Sequence, residues 1–258
     1  MITPTHIPVT CKNCGNQFEG KFCSNCGQPA STHPMDFHSL WHDIQHGLFH
    51  FDSGILYTAK VLFTRPGKAI HEYIDGKRVR YFKPISFVVI LATLYGLLFH
   101  TFHIEMDPII STSGSSEIQK IAAGINEWLI AHYAWASLLL LPLNAFSSFI
   151  AFKKQRFNFV EHLVLNAYLT GQRLLLRIVT FPLVYAFNGT VTGKLIGAGL
   201  GLVEFMLVVW SQRQFFNKLS KLKSFFLTIL SYLVFIITIV LVVGIVLQGF
   251  QYFLFKQK

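Results

Sequence analysis

Long apolar stretches dominate the chain after residue 84 and leave only short polar segments between them. An α-helix of about 20 apolar residues can cross a hydrocarbon core of about 30 Å. The pattern therefore predicts an all-α polytopic membrane protein with about five transmembrane helices. The predicted spans are residues 85–104, 128–152, 162–187, 195–211 and 225–247.

Before the first span, the apolar positions follow a helical period instead of a continuous run. Between residues 36 and 51, aromatic and aliphatic residues recur every three or four positions and share one helix face. The opposite face carries histidines at every fourth position: His38, His42, His46 and His50. This histidine face is either a second metal site, a pH sensor or a solvated polar surface. Two short helices should follow, one ending near Thr64 and one running from Pro66 to a stop at Gly76.

These patterns divide the chain into three parts. Residues 1–34 are expected to form a small zinc ribbon, residues 35–84 amphipathic and basic juxtamembrane helices, and residues 85–258 the transmembrane domain. The composition agrees with a membrane protein, because 52% of the residues are hydrophobic and only 13% are charged.

The net charge of +10 is distributed unevenly among the predicted loops. Basic residues precede the first span and follow the second and fourth, whereas loop 105–127 has four carboxylates against one lysine. Because basic residues accumulate in cytoplasmic loops, the N-terminus should be cytoplasmic and the C-terminus external. Nucleic-acid binding is not expected, since the positive charges lie beside the spans. Four of them are candidates to bind anionic lipid headgroups: Lys77, Arg78, Arg80 and Lys83.

The cysteines of the chain all lie near its start: Cys11, Cys14, Cys23 and Cys26. They form two Cys-x-x-Cys-Gly motifs, and each glycine permits a positive φ that turns backbone amides toward sulfur. The spacing predicts one structural Zn²⁺ site, with two disulfides or a rubredoxin-type iron centre as the alternatives. Residues 1–30 lack the pattern of a signal peptide, which favours a reducing cytosol. Four thiolates would fill the metal's coordination shell, so catalysis there is not expected.

Three charged residues fall inside predicted spans, Arg173 and Arg177 in the third and Glu204 in the fourth. Ionisable groups are costly in a bilayer, so these residues form either a structural ion pair or a solute or proton site. The fourth span also carries small residues at every fourth position: Gly193, Gly197 and Gly201. This spacing predicts close packing against the third span, which would bring Glu204 toward the arginines.

More specific motifs lie between the ribbon and the first span: Phe51-Asp52-Ser53-Gly54, Thr58, Arg65-Pro66-Gly67, Tyr73-Ile74-Asp75-Gly76-Lys77-Arg78 and the run from Tyr81 to Pro84. They resemble a bacterial family of membrane proteins with an N-terminal zinc ribbon and no established activity. The Glu161-His162-Leu163-Val164 run is similar to that family too. The resemblance covers roughly residues 11–90 well and the remainder loosely. It implies this architecture in a bacterial inner membrane without implying an activity.

No complete enzyme motif is present, since the chain has no nucleophile elbow, P-loop or dinucleotide fingerprint. The leading interpretation is a non-enzymatic membrane protein whose ribbon and basic segment dock a protein partner or the membrane surface. The alternative is a small transporter or channel for an anionic solute that uses the intramembrane charges. Five helices make a narrow bundle, so transport would favour a homo-oligomer.

Overall fold

The structure is a computed structural model that describes residues 8–32, 35–37, 54–102, 104 and 116–256. Most of the amphipathic helix predicted for residues 36–51 lies outside the described residues, and so do all four of its histidines, His38, His42, His46 and His50.

The N-terminal ribbon consists of two similar halves around the cysteines. In the first half, strand β1 (Val9–Thr10) pairs antiparallel with β2 (Gln17–Phe18), and the Cys11 N–H donates to the Asn16 carbonyl at 2.9 Å. In the second half, a single bridge joins Phe22 to Pro29, and the Cys23 N–H donates to the Gln28 carbonyl at 2.8 Å. Among the described residues, the apolar core of the ribbon consists of Cys11, Phe18 and Cys23, so the ribbon has little apolar core of its own.

Two short helices connect the ribbon to the long helices and match the sequence prediction. Helix α1 spans Gly54–Thr64 and α2 spans Pro66–Ile74, with the proline in the first turn of α2. Helix α2 ends at Gly76, which has a φ of +104°, while the Lys77 N–H donates to the Glu72 carbonyl at 2.9 Å. A glycine in this conformation ends the helix and turns the chain toward the first span.

The rest of the described chain is helical, and the protein is an all-α polytopic membrane protein as predicted. Within the described part of the chain, four helices are long and apolar enough to cross a membrane. They are α3 (Pro84–Phe102), α5 (Tyr133–Ala151), α7 (Val191–Phe215) and α8 (Lys221–Lys256). The predicted third span corresponds to α6 (Phe159–Ala186), which is long enough but less apolar than these four.

Several predicted boundaries differ from the observed ones. Residues 128–131 belong to a separate helix, α4 (Ser116–Ala131), because the helical conformation is interrupted at His132 before α5 begins. Residues 116–127 of this helix were predicted as part of loop 105–127, although the spacing of Ile118, Ile121 and Ile125 is helical. Helix α7 is also longer at both ends than the predicted fourth span.

Helix α6 occupies the centre of the bundle and contacts α1, α2, α3, α5 and α7. It starts with a capping box, in which Asn158 accepts from the Glu161 N–H at 2.8 Å and Glu161 accepts from the Asn158 N–H at 2.7 Å. We call the end of the bundle where α3, α6 and α8 begin the ribbon end, and the opposite end the far end. Nearly all residues from Val160 to Gln172 are buried, so α6 is the core element of the ribbon end.

The packing of α7 changes along its length. At the ribbon end, a Cβ added to Gly67 would lie 2.3 Å from the backbone N of Phe215, so α2 and α7 are in close contact. At the far end, Cβ atoms added to Gly197 and Gly201 would meet nothing within 4 Å. The predicted packing of this glycine stripe against the third span is therefore wrong, because a cavity of about 660 Å³ separates α6 from α7 there.

Candidate functional site

The four cysteines of the ribbon form one compact cluster of possible ligands. The sulfurs all lie within 4.8 Å of one another, with Cys11 to Cys26 at 3.5 Å and Cys14 to Cys23 at 3.6 Å. Tetrahedral Zn²⁺ with bonds of about 2.3 Å places its sulfurs about 3.8 Å apart. Gly15 and Gly27 have φ values of +76° and +73°, as the motif predicts. The cluster therefore fits a tetrahedral metal ion bound by four sulfurs.

The surroundings of two of these thiols favour the thiolate form that metals bind. A backbone hydrogen bond from Asn16 lowers the pKa of Cys14 to about 6. The Asn13 side chain lowers the pKa of Cys26 in the same way. Burial has the opposite effect on Cys11 and raises its pKa to about 11. A metal ion would offset this cost, because a positive charge at the centre stabilises all four thiolates.

The ribbon is attached to the loop after α2 by one buried side chain, Gln28. Its Nε2 donates to the Gly76 carbonyl at 2.5 Å, and its Oε1 accepts from the backbone N–H groups of Arg78 and Val79 at 3.4 and 3.3 Å. Both polar atoms of the Gln28 amide therefore form hydrogen bonds to a segment that lies 48 to 51 residues farther along the chain. The sequence analysis missed this contact because an isolated glutamine after a cysteine motif has no distinctive pattern.

A second attachment follows the ribbon directly. Met35 is fully buried in the main core, and its carbonyl accepts from Asn158 Nδ2 at 3.1 Å. The Phe37 ring stacks on that of Phe159 with centroids 6.0 Å apart. Asn158 thus caps α6 and also binds the segment after the ribbon. The ribbon and the start of α6 are therefore held at the same end of the bundle.

A polar network connects α1, α2 and the loop before α3. Arg65 contacts Glu72 at 3.3 Å and donates to the Tyr57 hydroxyl at 2.8 Å, while the Tyr81 hydroxyl donates to Glu72. Burial alone would raise the pKa of Glu72, but the hydrogen bond from Tyr81 and the charge of Arg65 together lower it. Burial and the Glu72 carboxylate raise the pKa of Tyr81 above its ordinary value. The carboxylate is therefore stabilised, and it holds the two short helices together.

Other motif residues make backbone contacts that only small or polar side chains allow. Thr58 accepts from the Phe82 N–H at 2.8 Å, and the Phe82 carbonyl accepts from the Tyr168 hydroxyl at 2.8 Å. A Cβ added to Gly54 would lie 3.3 Å from the Arg80 carbonyl, which explains a glycine there. These contacts fix the loop before α3 to both α1 and α6.

The basic residues of this loop have different environments. The Arg78 guanidinium lies 5.7 Å from the Tyr73 ring centre and donates to the Tyr73 carbonyl at 3.4 Å, so it stabilises the loop internally. Arg80 is exposed, and Lys77 and Lys83 are half-buried. Of the four predicted headgroup ligands, Arg80 is therefore the most accessible.

The three charged residues that the sequence predicted inside the membrane line one cavity, but they are not equivalent. Arg177 makes a two-pronged contact with Glu204, Nε to Oε1 at 2.5 Å and Nη2 to Oε2 at 2.8 Å. The expected pairing of Glu204 with an arginine of α6 is thus present. Arg173 instead donates from Nη2 to Thr170 Oγ1 at 3.1 Å, and its buried Nε has no hydrogen-bond partner among the described residues.

Two cavities meet at the Arg177–Glu204 pair, since both residues line each of them. The far cavity, about 660 Å³, extends between α6 and α7 toward Asn188 and Lys194. The inner cavity, about 190 Å³, lies among α5, α6, α7 and α8 and includes Arg173. The ion pair therefore separates two polar spaces along the bundle.

Comparison with known proteins gives a family for part of the chain. A family model described as a protein of unknown function (DUF3667) matches residues 52–96. Neither the curated proteins nor the solved structures gave a match. The matched region contains α1, α2 and the first part of α3, including the network around Glu72 and the loop that binds Gln28. It is therefore the segment on which the ribbon is seated.

Proposed function

We propose that this chain is a non-enzymatic integral protein of a bacterial inner membrane whose ribbon and basic loop form a docking face for a cytosolic protein. The observation that carries the proposal is the Gln28 contact, which holds the ribbon in one place on the membrane domain. A module fixed in this way presents a constant surface to a partner and loses little entropy when the partner binds.

The ribbon's metal is Zn²⁺ in this proposal. Four thiolates at nearly tetrahedral spacing suit Zn²⁺ and leave no position for water or substrate, so the metal's role is structural. The small apolar core supports the same role, because a ribbon of this size needs the energy of metal binding to fold.

The docking surface centres on an exposed aromatic residue. Phe22 is 62% exposed in a ribbon whose other phenylalanine, Phe18, is buried. Lys21 beside it is exposed as well. An apolar ring next to a positive charge matches a partner that offers an apolar pocket with an acidic rim. Arg80, with Lys77 and Lys83 beside it, would contact the anionic headgroups of the membrane on which that partner rests, while Arg78 stabilises the loop from inside.

The docking proposal is tested by affinity purification from native membranes, followed by a binding measurement with the purified partner. Phe22→Ala should abolish binding and keep the normal metal content, because the ring is exposed and makes little contribution to folding. Gln17→Ala, which changes another exposed residue of the ribbon, should bind normally. If the same proteins co-purify with Phe22→Ala and with a chain lacking residues 1–34, the docking proposal is wrong.

The orientation is part of the proposal and has its own test. Basic residues cluster at the ribbon end of the bundle, which favours a cytoplasmic ribbon. In a variant without the four native cysteines, a cysteine introduced at Lys120 should react with an impermeant reagent from outside, whereas one at Lys218 should not. The reverse labelling pattern would place the ribbon outside the cell.

A second candidate function is the passage of an anionic solute through the bundle. It is favoured by one observation, the two polar cavities that meet at the Arg177–Glu204 pair. The test is flux of a radiolabelled anion into liposomes that contain the purified protein. Flux that depends on Arg177 and Glu204 would support this function, and liposomes no more permeable than empty ones would exclude it.

A further inference from the structure

We infer that Arg173 and the inner cavity form a binding site for a small soluble oxyanion of the phosphate class, halfway along α6. The Arg177–Glu204 pair lines the same cavity, but its two charges are paired with each other. This inference deepens the second candidate function, but it concerns binding alone and does not require that the anion be transported.

The charge balance of the bundle motivates the site. By sequence, helices α3, α5, α7 and α8 contain a single carboxylate, Glu204, and the carboxylate of α6 is Glu161 in its first turn. Glu204 is engaged by both prongs of Arg177, which leaves the charge of Arg173 uncompensated within the described bundle. A lone cation at this depth is costly, and a bound anion would remove that cost.

The geometry leaves part of the Arg173 guanidinium available. Nη2 is used by Thr170 in the preceding turn of α6, whereas Nε is buried without an acceptor among the described side chains. Oxyanions bind arginine through parallel N–H groups, and Arg173 lines the inner cavity, so the guanidinium N–H groups that Thr170 does not use are the kind of donor they require. An ordinary structural arginine would have this donor satisfied by a carbonyl or carboxylate.

The cavity beside Arg173 has a suitable size and lining. Its volume is about 190 Å³, and Ser137, Asn144 and Tyr232 contribute polar groups from α5 and α8. A water molecule takes about 30 Å³ of liquid, so the space would hold a tetrahedral oxyanion together with several waters. Hydroxyl and amide donors could bind the oxygen atoms that the guanidinium does not reach.

The position of the inner cavity favours a soluble ion as the source of the anion. The cavity lies among four helices, α5, α6, α7 and α8, and its volume is about 190 Å³. A phospholipid headgroup would have to bring its acyl chains between these helices, whereas a free oxyanion carries no such chain. We therefore take the ligand to be a soluble ion.

The test uses the full-length protein in nanodiscs of zwitterionic lipid, with radiolabelled inorganic phosphate in equilibrium dialysis. The unchanged protein should bind phosphate, and Arg173→Gln should weaken binding by at least about tenfold. Arg213→Gln, which removes a cation at the ribbon end of α7, should change the affinity by less than about twofold. Glu204→Gln should tighten binding, because it leaves Arg177 as a second uncompensated charge near the same cavity.

Further variants and conditions make each outcome decisive. If Arg173→Gln does not fold, Arg173→Lys keeps the charge but lacks the fork, and it should also bind phosphate more weakly. Absence of phosphate binding, or equal binding by the Arg173 and Arg213 variants, would overturn the inference. Displacement of phosphate when anionic lipid is added to the nanodiscs would show that the site takes a headgroup. Binding without flux in liposomes would exclude transport and leave the site intact.

Discussion

Helix α6 contacts five other helices, and its residues are nearly all buried in its half nearer the ribbon, whereas toward the far end it lines cavities. The polar groups differ in the same way. Gln172 is the last residue of the buried stretch, and it donates to the Leu62 carbonyl at 2.6 Å and accepts from Ser211 at 3.1 Å. Arg173, the next residue, has a buried donor without an acceptor among the described residues.

The glycines show the same contrast between the two ends. Gly67 lies against the backbone of α7 and Gly171 against the Phe87 ring, so each permits a contact that a side chain would block. Gly197 and Gly201 face open space in the single chain. The ribbon end is thus built for a fixed arrangement, and the far end has room for solute, solvent or another subunit. The following predictions test that contrast, from the largest expected effect to the smallest.

The largest effect is expected from removing a metal ligand at the ribbon end. Cys23→Ser should abolish metal binding and unfold the ribbon, because structural Zn²⁺ contributes on the order of 10 kcal/mol to folding. Metal analysis and hydrogen exchange over residues 8–32 would measure both effects. Gln17→Ala is the control, since it changes the ribbon without touching the cluster. The long helices should remain inserted, and loss of insertion would show that the two ends fold as one unit.

The second prediction compares glycines at the two ends. Gly67→Ala should destabilise the protein by about 3 kcal/mol, because the new Cβ would lie 2.3 Å from backbone atoms of α7. Gly197→Ala should be neutral or stabilising by up to about 1 kcal/mol, because alanine favours the helix and meets nothing. Denaturant titration in detergent would measure both. A large loss with Gly197→Ala would indicate that a second copy of the chain packs on this stripe.

This contrast also explains how much of the protein could be predicted from sequence. Helix class, approximate spans and the cysteine cluster follow from local patterns, namely apolar run length and the Cys-x-x-Cys-Gly spacing. The ends of α1 and α2 were predictable because Pro66 and Gly76 act locally. Such features need no knowledge of which segments meet in space.

Contacts between distant segments could not be predicted in the same way. Gln28 binds residues about 50 positions away, and its role depends on where the ribbon sits. The predicted packing of the glycine stripe was wrong for a related reason, because small residues permit close packing without determining which helix packs there. Glu204 pairs with Arg177 and not with Arg173 because of how α6 and α7 are rotated about their axes. The four-residue spacing of the two arginines does not determine that rotation.

The third prediction concerns the ion pair between the two cavities. Glu204→Gln should cost about 2 kcal/mol, less than for a dry buried pair, because the Arg177 side chain is 36% exposed. Adding Arg177→Gln to the Glu204→Gln variant should recover much of that loss. Adding Arg173→Gln should not, since Arg173 is not bonded to Glu204. A double-mutant cycle with each arginine would measure the two couplings. Equal coupling to both would mean that the charges share one site.

The fourth prediction separates the ribbon from the bundle without disturbing the metal. Gln28→Ala should release the ribbon from the loop after α2, because three backbone groups lose their partner there. The expected cost is about 1 to 2 kcal/mol, measured as faster hydrogen exchange at residues 76–79. Gln28→Glu is a useful second variant, since it keeps the acceptor and loses the donor. Unchanged exchange in Gln28→Ala would show that Met35 and Asn158 alone hold the ribbon in place.

The smallest effect concerns the charge network at the ribbon end, where pairing is complete, in contrast with Arg173. The pKa of Glu72 is lowered in the folded state, so its contribution is present above the ordinary carboxyl pKa and is lost as the pH falls through the lower, folded value. Because Arg65 is partly exposed, that contribution should be below about 1 kcal/mol.

Glu72→Gln should therefore flatten the acid limb of the stability profile, which is the fall in the free energy of unfolding as the pH is lowered, measured by denaturant titration. Tyr81→Phe removes one hydrogen bond from the carboxylate and should shift the loss to higher pH. An acid limb that is identical in all three proteins would mean that solvent screens the network completely.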